Sequence, residues 1–94
     1  MSRKEKKTWT VEYTVKVEKR QIPKLPKKVK AILDEARDDL EREGPFPHGW
    51  NVDVLEKGRN RMWLKRKWRI VYTIDEKENC ITITYAGSKE GVPY

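Results

Sequence analysis

The sequence predicts an α+β domain, with a helical layer on one face of a mainly antiparallel four-stranded sheet in the order β-α-β-β-β. Three observations carry this reading. Apolar residues alternate over 9–17, an apolar stripe with helical spacing follows, and three further apolar-patterned runs separated by polar turns complete the chain. With 94 residues, 36% of them hydrophobic, a single domain with a modest core is expected, too small for a large substrate cavity.

The first strand rests on Trp9, Val11, Tyr13, Val15 and Val17, which occupy every odd position and so share one face. It ends near Tyr13 or continues to Val17, and Pro23 and Pro26 break the pattern. Pro26 suits the first turn of a helix, where its missing N–H costs nothing. From there Val29, Ile32, Leu33, Ala36 and Leu40 line one face, opposite Asp34, Glu35, Asp38, Asp39 and Arg42. Gly44-Pro45 stops the helix, the glycine as a left-handed cap and the proline as a residue that cannot continue it. A helix over 26–43 follows.

After the loop containing Pro45, Pro47 and Gly49, apolar patterning covers about 50–56 with 61–65, then 68–75 and 80–86. Asp75 to Asn79 form a polar turn between the last two. The basic residues near Lys65-Arg66-Lys67 join the preceding pair, and the length of that turn decides which side chains share a face. A two-residue turn at Arg66-Lys67 places Trp63 beside Ile70 and buries Arg61 with Tyr72. A three-residue turn, Lys65 to Lys67, pairs Met62 with Ile70 and Leu64 with Trp68. It puts Met62, Leu64, Trp68, Ile70, Tyr72 and Ile74 on the core face, and Arg61, Trp63, Arg69 and Val71 on the other. Burying an unpaired arginine is costly, which favours the three-residue turn.

The net charge of +7 is strongly segregated. Residues 1–30 carry net +8, residues 31–56 net −6, residues 57–69 net +7 with no acidic side chain, and residues 70–94 net −2. The dense block, Lys57, Arg59, Arg61, Lys65, Arg66, Lys67 and Arg69, is interleaved with Trp63 and Trp68. Cations neutralise phosphates and aromatic rings stack on unpaired bases, so this block is a candidate nucleic-acid-binding surface. The competing structural reading is a solvated hairpin whose charges block edge-to-edge association. The basic residues at 3–7 read as a flexible tail. One cysteine and one histidine exclude a disulfide scaffold and a Cys/His metal site. No apolar run approaches the roughly 18 residues of a membrane span, and no apolar segment follows the basic N-terminus as in a signal peptide. A cytoplasmic protein without metal or cofactor is the resulting expectation.

The order of features is a first strand, Lys24-Leu25-Pro26-Lys27-Lys28, an amphipathic helix, Gly44-Pro45, Trp50, a basic strand, and Trp68-Arg69-Ile70-Val71-Tyr72. Tyr85-Ala86-Gly87-Ser88-Lys89-Glu90 and Pro93-Tyr94 close it. Over about residues 9–94 this resembles the RelE branch of the RelE/ParE toxin superfamily of type II toxin–antitoxin systems. The resemblance implies one or two N-terminal helices on one face of a curved sheet. It also implies a shorter first strand, with an extra helix at about 15–22. It further implies a toxin that cuts messenger RNA in the ribosomal A site and is neutralised by an antitoxin wrapped around it. On matching positions, Arg69 stands for the arginine of the family's central strand and Arg61 for a basic residue of the preceding strand. Lys89 falls where the family often has arginine, and Tyr94 near a functional C-terminal tyrosine. Two departures bear on the cutting rate. Trp63 stands where some members carry a second basic residue, and Lys89 lacks the planar fork that arginine offers to phosphate.

These residues suggest a metal-free site. RNA brings its own nucleophile, the 2′-hydroxyl. Arg61 and Arg69 would hold the scissile phosphate, with Lys65 adding to the field. Tyr94 or Lys89 would serve as base only with a lowered pKa, and Tyr94 has a second possible role, stacking on a base. Structural readings stand beside each role: Arg69 as a buried structural arginine, Arg61 and Lys65 as solvated strand charges, Trp63 as a dock for an antitoxin helix. His48 reads as structural or solvated, Cys80 as a strand residue without a redox role, and Trp9, Trp50 and Trp68 as core. Expected partners are an acidic, partly disordered antitoxin segment, the ribosome and mRNA. Two further readings remain open: a ParE-like gyrase inhibitor without catalysis, and a non-catalytic RNA- or ribosome-binding domain.

Overall fold

A computed structural model describes residues 8–56 and 58–93. Lys57, Tyr94 and the basic segment 1–7 lie outside the described residues. Five strands form one mixed sheet in the order β1-β5-β4-β3-β2, with β1 Thr10–Tyr13, β2 Val52–Val54, β3 Arg59–Lys65, β4 Trp68–Asp75 and β5 Cys80–Ser88. The expected four strands become five because 50–56 and 61–65, grouped as one run, belong to separate strands, β2 and β3. A turn with Gly58 at φ 73° folds β2 back on β3. The sheet is mixed because β1 pairs in parallel with β5, Val11 opposite Ile81, while the other pairings are antiparallel.

The alternation at 9–17 persists as a strand only to Tyr13. Beyond it comes a π-helical turn, Val17–Gln21, and a 3₁₀ turn, Ile22–Lys24. The Ile22 N–H bonds back to the Val17 carbonyl. Val17 is fully buried and Val15 is 69% exposed, so the period-two pattern ends where the chain begins to coil. The long helix α1, Lys27–Glu43, starts after Pro26 and ends at Gly44 as the stripe predicts. Gly44 has φ 93° and ψ −165°, so it is not the expected left-handed cap. Its backbone lies in a region essentially reserved for glycine, and a Cβ there would meet the Trp9 indole at 3.0 Å.

α1 packs on β1 and β3, and the π-helical turn packs on β5. Val29, Leu33, Ala36 and Leu40 meet Val11, Met62, Ile70, Tyr72, Ile81 and Ile83 in one core. Trp9, Ile32, Trp50, Leu64 and Trp68 are half-buried. The opposite face of α1 is not merely solvated, because Asp39 accepts a 2.9 Å hydrogen bond from Trp50 Nε1 and pairs with Arg42. Tyr72 is fully buried and its hydroxyl donates to the Pro45 carbonyl, tying the central strand to the loop that follows α1.

The β3–β4 turn reconciles the two expected registers. It has two residues, Arg66 and Lys67, with Arg66 at φ 51°. A bulge between Trp63 and Lys65 nevertheless sets Met62 opposite Ile70. Leu64 therefore has no partner in β4, and Lys65 takes the place opposite Trp68. The extra residue of the bulged strand restores the register in which Arg61 avoids the core.

A candidate RNA-binding face on the sheet

The face of the sheet away from α1 is set by register. Asp53 of β2 lies opposite Arg61 of β3, and Arg61 lies opposite Val71 of β4, which pairs with Tyr85 of β5. One row along, Trp63 lies opposite Arg69, and Arg69 opposite Gly87. Alternation puts all these side chains on the outer face.

Arg69 is 6% exposed. Its guanidinium carbon lies 4.4 Å from the centroid of the Trp63 ring. Its Nη1 donates to the carbonyls of Arg66 (2.6 Å) and Trp68 (3.0 Å). The cation is thereby desolvated on one side by an aromatic ring and anchored to the hairpin that also presents Lys65, Arg66 and Lys67. Trp63 remains 42% exposed, so part of its ring is open to a stacking partner.

Arg61 Nη2 donates to the Asp53 carboxylate at 2.7 Å. The nearby Trp63 side chain and the Arg69 charge also favour the carboxylate anion. The Arg61 hydrogen bond is the chief cause that holds the Asp53 carboxyl below its ordinary value, so Asp53 is an anion at neutral pH and a weak base. The sequence reading missed Asp53. Only the β2–β3 register turns this one acidic residue toward the basic block.

The remaining predicted residues divide. Arg59 does not join the cluster, since its Nη1 donates to the Pro93 carbonyl at 2.7 Å and holds the C-terminal segment. The Lys89 backbone N–H donates to the Lys67 carbonyl at 2.7 Å, which places Lys89 beside the hairpin. The segment 89–93 thus runs from the hairpin back toward the start of β3. Lys65, Arg66 and Lys67 are exposed. Lys67 turns its Nζ to within 5.2 Å of the Trp68 ring centroid, and Trp68 belongs to the opposite face. Lys57 and Tyr94 lie outside the described residues. His48 is fully exposed with its N–H on Glu43, and Cys80 is a free thiol in β5, as expected.

Tyr85, across from Val71, donates its hydroxyl to the Ser88 carbonyl at 2.8 Å. Burial raises its pKa. A Cβ on Gly87 would lie 2.6 Å from that hydroxyl, so glycine there leaves room for the Tyr85 ring. Among the described residues, no group of three or more His, Cys, Asp or Glu side chains is arranged to hold a metal ion, and no helix is long and apolar enough to cross a membrane.

No family model and no curated protein sequence matches the chain. Solved structures do. The toxin in the archaeal RelE–RelB complex from Pyrococcus horikoshii OT3 is similar with a TM-score of 0.75 and 26% identity, covering 90% of this chain and 99% of that one. The toxin–antitoxin complex RelBE2 from Mycobacterium tuberculosis gives 0.67 and 24%, covering 85% and 96%. The YoeB–YefM complex from Staphylococcus aureus gives 0.68 and 17%, covering 93% and 99%. The last two show a shared fold. With the mixed sheet and the helical layer in place, the chain has a RelE-like fold and is similar to the RelE-like toxins of these toxin–antitoxin complexes.

Proposed function

We propose that this protein is the toxin of a type II toxin–antitoxin system and that it cuts mRNA on the ribosome, in the cytoplasm, through a metal-free site on the outer face of the sheet. The observation that carries the reading is the convergence of Arg61, Trp63 and Arg69 on that face. Arg69 is buried against Trp63, where its charge acts in a lower dielectric than water provides. A phosphate drawn to this face would exchange Asp53 for its own oxygens at Arg61, and Arg69 would stabilise the charge that builds as the 2′-hydroxyl attacks phosphorus. Loss of one such donor typically costs about 10²–10³ in rate. Lys89 and Tyr94 remain the candidates for proton transfer. The ribosome would supply the positioning that an open face lacks.

The partner in this reading is an antitoxin with an acidic, partly disordered segment. Antitoxins accompany the toxins in the P. horikoshii, M. tuberculosis and S. aureus complexes. A basic face of this kind should accelerate association electrostatically, so the on-rate should fall steeply with salt. A salt-independent on-rate would contradict it.

One observation favours a non-catalytic reading. Arg61 and Arg69 are already engaged, by Asp53 and by the hairpin carbonyls. A ParE-like gyrase inhibitor or an RNA-binding domain needs no free guanidinium. Mapping transcript ends in a translating extract decides: ribosome-dependent cuts support the nuclease, and intact transcripts support the non-catalytic reading.

A further inference from the structure

A second basic site lies on the other side of the hairpin, outside the Arg61–Arg69 face. It is a cavity of about 500 Å³ between the first helical segment and the end of β5, within the range of about 300–1,000 Å³ typical of small-ligand pockets. Lys16, Arg20, Lys24 and Lys67 line it, and no lining residue is acidic. Its floor is Leu25, the half-buried Trp68 ring and the β5 segment 85–88.

The fold makes this groove in a specific way. β1 covers the edge of β5 only as far as Ile83. Beyond it the edge faces the π-helical turn, which is fixed there by a 2.9 Å hydrogen bond from the Ala86 N–H to the Gln21 side-chain oxygen. Lys16, Arg20 and Lys24 follow one another at four-residue intervals. Like charges at that spacing repel, and Lys67 enters from the hairpin to add a fourth. π-Helical turns are rare and frequent at functional sites.

We propose that this groove binds single-stranded nucleic acid, with successive phosphates along Lys16, Arg20 and Lys24 and a base against Trp68. The open cavity with an aromatic floor favours a nucleotide over an acidic peptide, which needs the cations alone. Lys67 belongs both to the groove and to the hairpin tip beside Arg69, so a strand leaving the outer face over the tip enters the groove. Only this last point, its role as the flanking subsite of the RNA, rests on the function proposed above.

The test is equilibrium binding of a short 2′-O-methyl oligoribonucleotide, which cannot be cut at its 2′-position, to the full chain across a range of salt. The variant Lys16→Ala/Arg20→Ala/Lys24→Ala removes three exposed groove cations. Lys19→Ala/Lys28→Ala/Lys77→Ala removes the same charge from exposed sites outside the groove. Circular dichroism confirms that each folds. The groove variant should lose at least about tenfold in affinity and about 2 in the slope of log K against log salt, from three phosphate contacts at about 0.7 each. The control should change much less. Equal losses in the two variants, or none in the groove variant, would overturn the proposal. So would a poly-glutamate peptide of equal charge that binds as tightly and depends equally on the groove cations. Binding that behaves as expected in a protein that never cuts transcripts would overturn the nuclease reading and leave the groove standing.

Discussion

The guanidinium of Arg69 sits 4.4 Å from the centre of the Trp63 ring, directly across the β3–β4 ladder. The contact explains how a cation can be 6% exposed on a sheet face with no carboxylate bonded to it among the described residues. It also gives Trp63 two duties, as a cover for the arginine and as an exposed ring. A double-mutant cycle of Trp63→Ala and Arg69→Ala in chemical denaturation should show a coupling of about 0.5–2 kcal/mol. Additive effects would mean the two residues do not support each other.

Asp53 should act as a brake on anion binding. Replacing it by Asn removes the Asp53 carboxylate charge from Arg61 and raises the charge of the face by one. Single-stranded RNA should then bind several-fold more tightly at neutral pH, with a salt slope steeper by about 0.7. Unchanged affinity would show that Asp53 is displaced without cost. Stability at pH 7 should fall little, because the pair is open to solvent on the Asp53 side.

A pH dependence follows from Asp39. Its folded-state pKa is lowered, first by the hydrogen bond from Trp50 and then by Arg42, against partial desolvation. The stability it contributes is therefore present above its unfolded value and is lost as pH falls through the lower folded value. Asp39→Asn should destabilise by about 1 kcal/mol at pH 7, and the gap between variant and wild type should close in acid. A gap that stays constant down to the acid transition would remove the linkage.

The buried Tyr72 hydroxyl donates to the Pro45 carbonyl. Tyr72→Phe should lower stability by about 1–2 kcal/mol through the orphaned carbonyl, a fall of roughly 4–8 °C per kcal/mol in melting temperature for a domain of this size. A rise in melting temperature would show that the loop re-forms without this bond.

Local chemistry made much of this molecule readable. Val29, Leu33, Ala36 and Leu40 mark α1, and Pro26 and Gly44 bound it. The cost of burying Arg61 selected the observed Met62–Ile70 pairing, but a bulge near Leu64 achieves it in place of a longer turn and puts Lys65, not Leu64, opposite Trp68. Long-range features were not readable. The parallel pairing of β1 with β5 joins residues far apart in sequence. The pattern through Val15 and Val17 fits a strand, and only packing against β5 makes it a π-helical turn. Arg61, Trp63 and Arg69 were legible as a cluster because alternation fixes their face. Asp53 was not, because its face depends on where β2 turns into β3. Arg59 sat in the basic block yet serves the C-terminal segment, a role set by the tertiary path of residues 89–93.

The central claim concerns the outer face and its arginines. Primer extension on transcripts from a translating extract tests it most directly, using wild-type protein beside Arg61→Ala and Arg69→Ala, each shown to be folded. Cuts within codons that require ribosomes, and that weaken by about 10²–10³ in either variant, are the predicted result. Intact transcripts with the wild-type protein, or cuts undiminished in both variants, would contradict it.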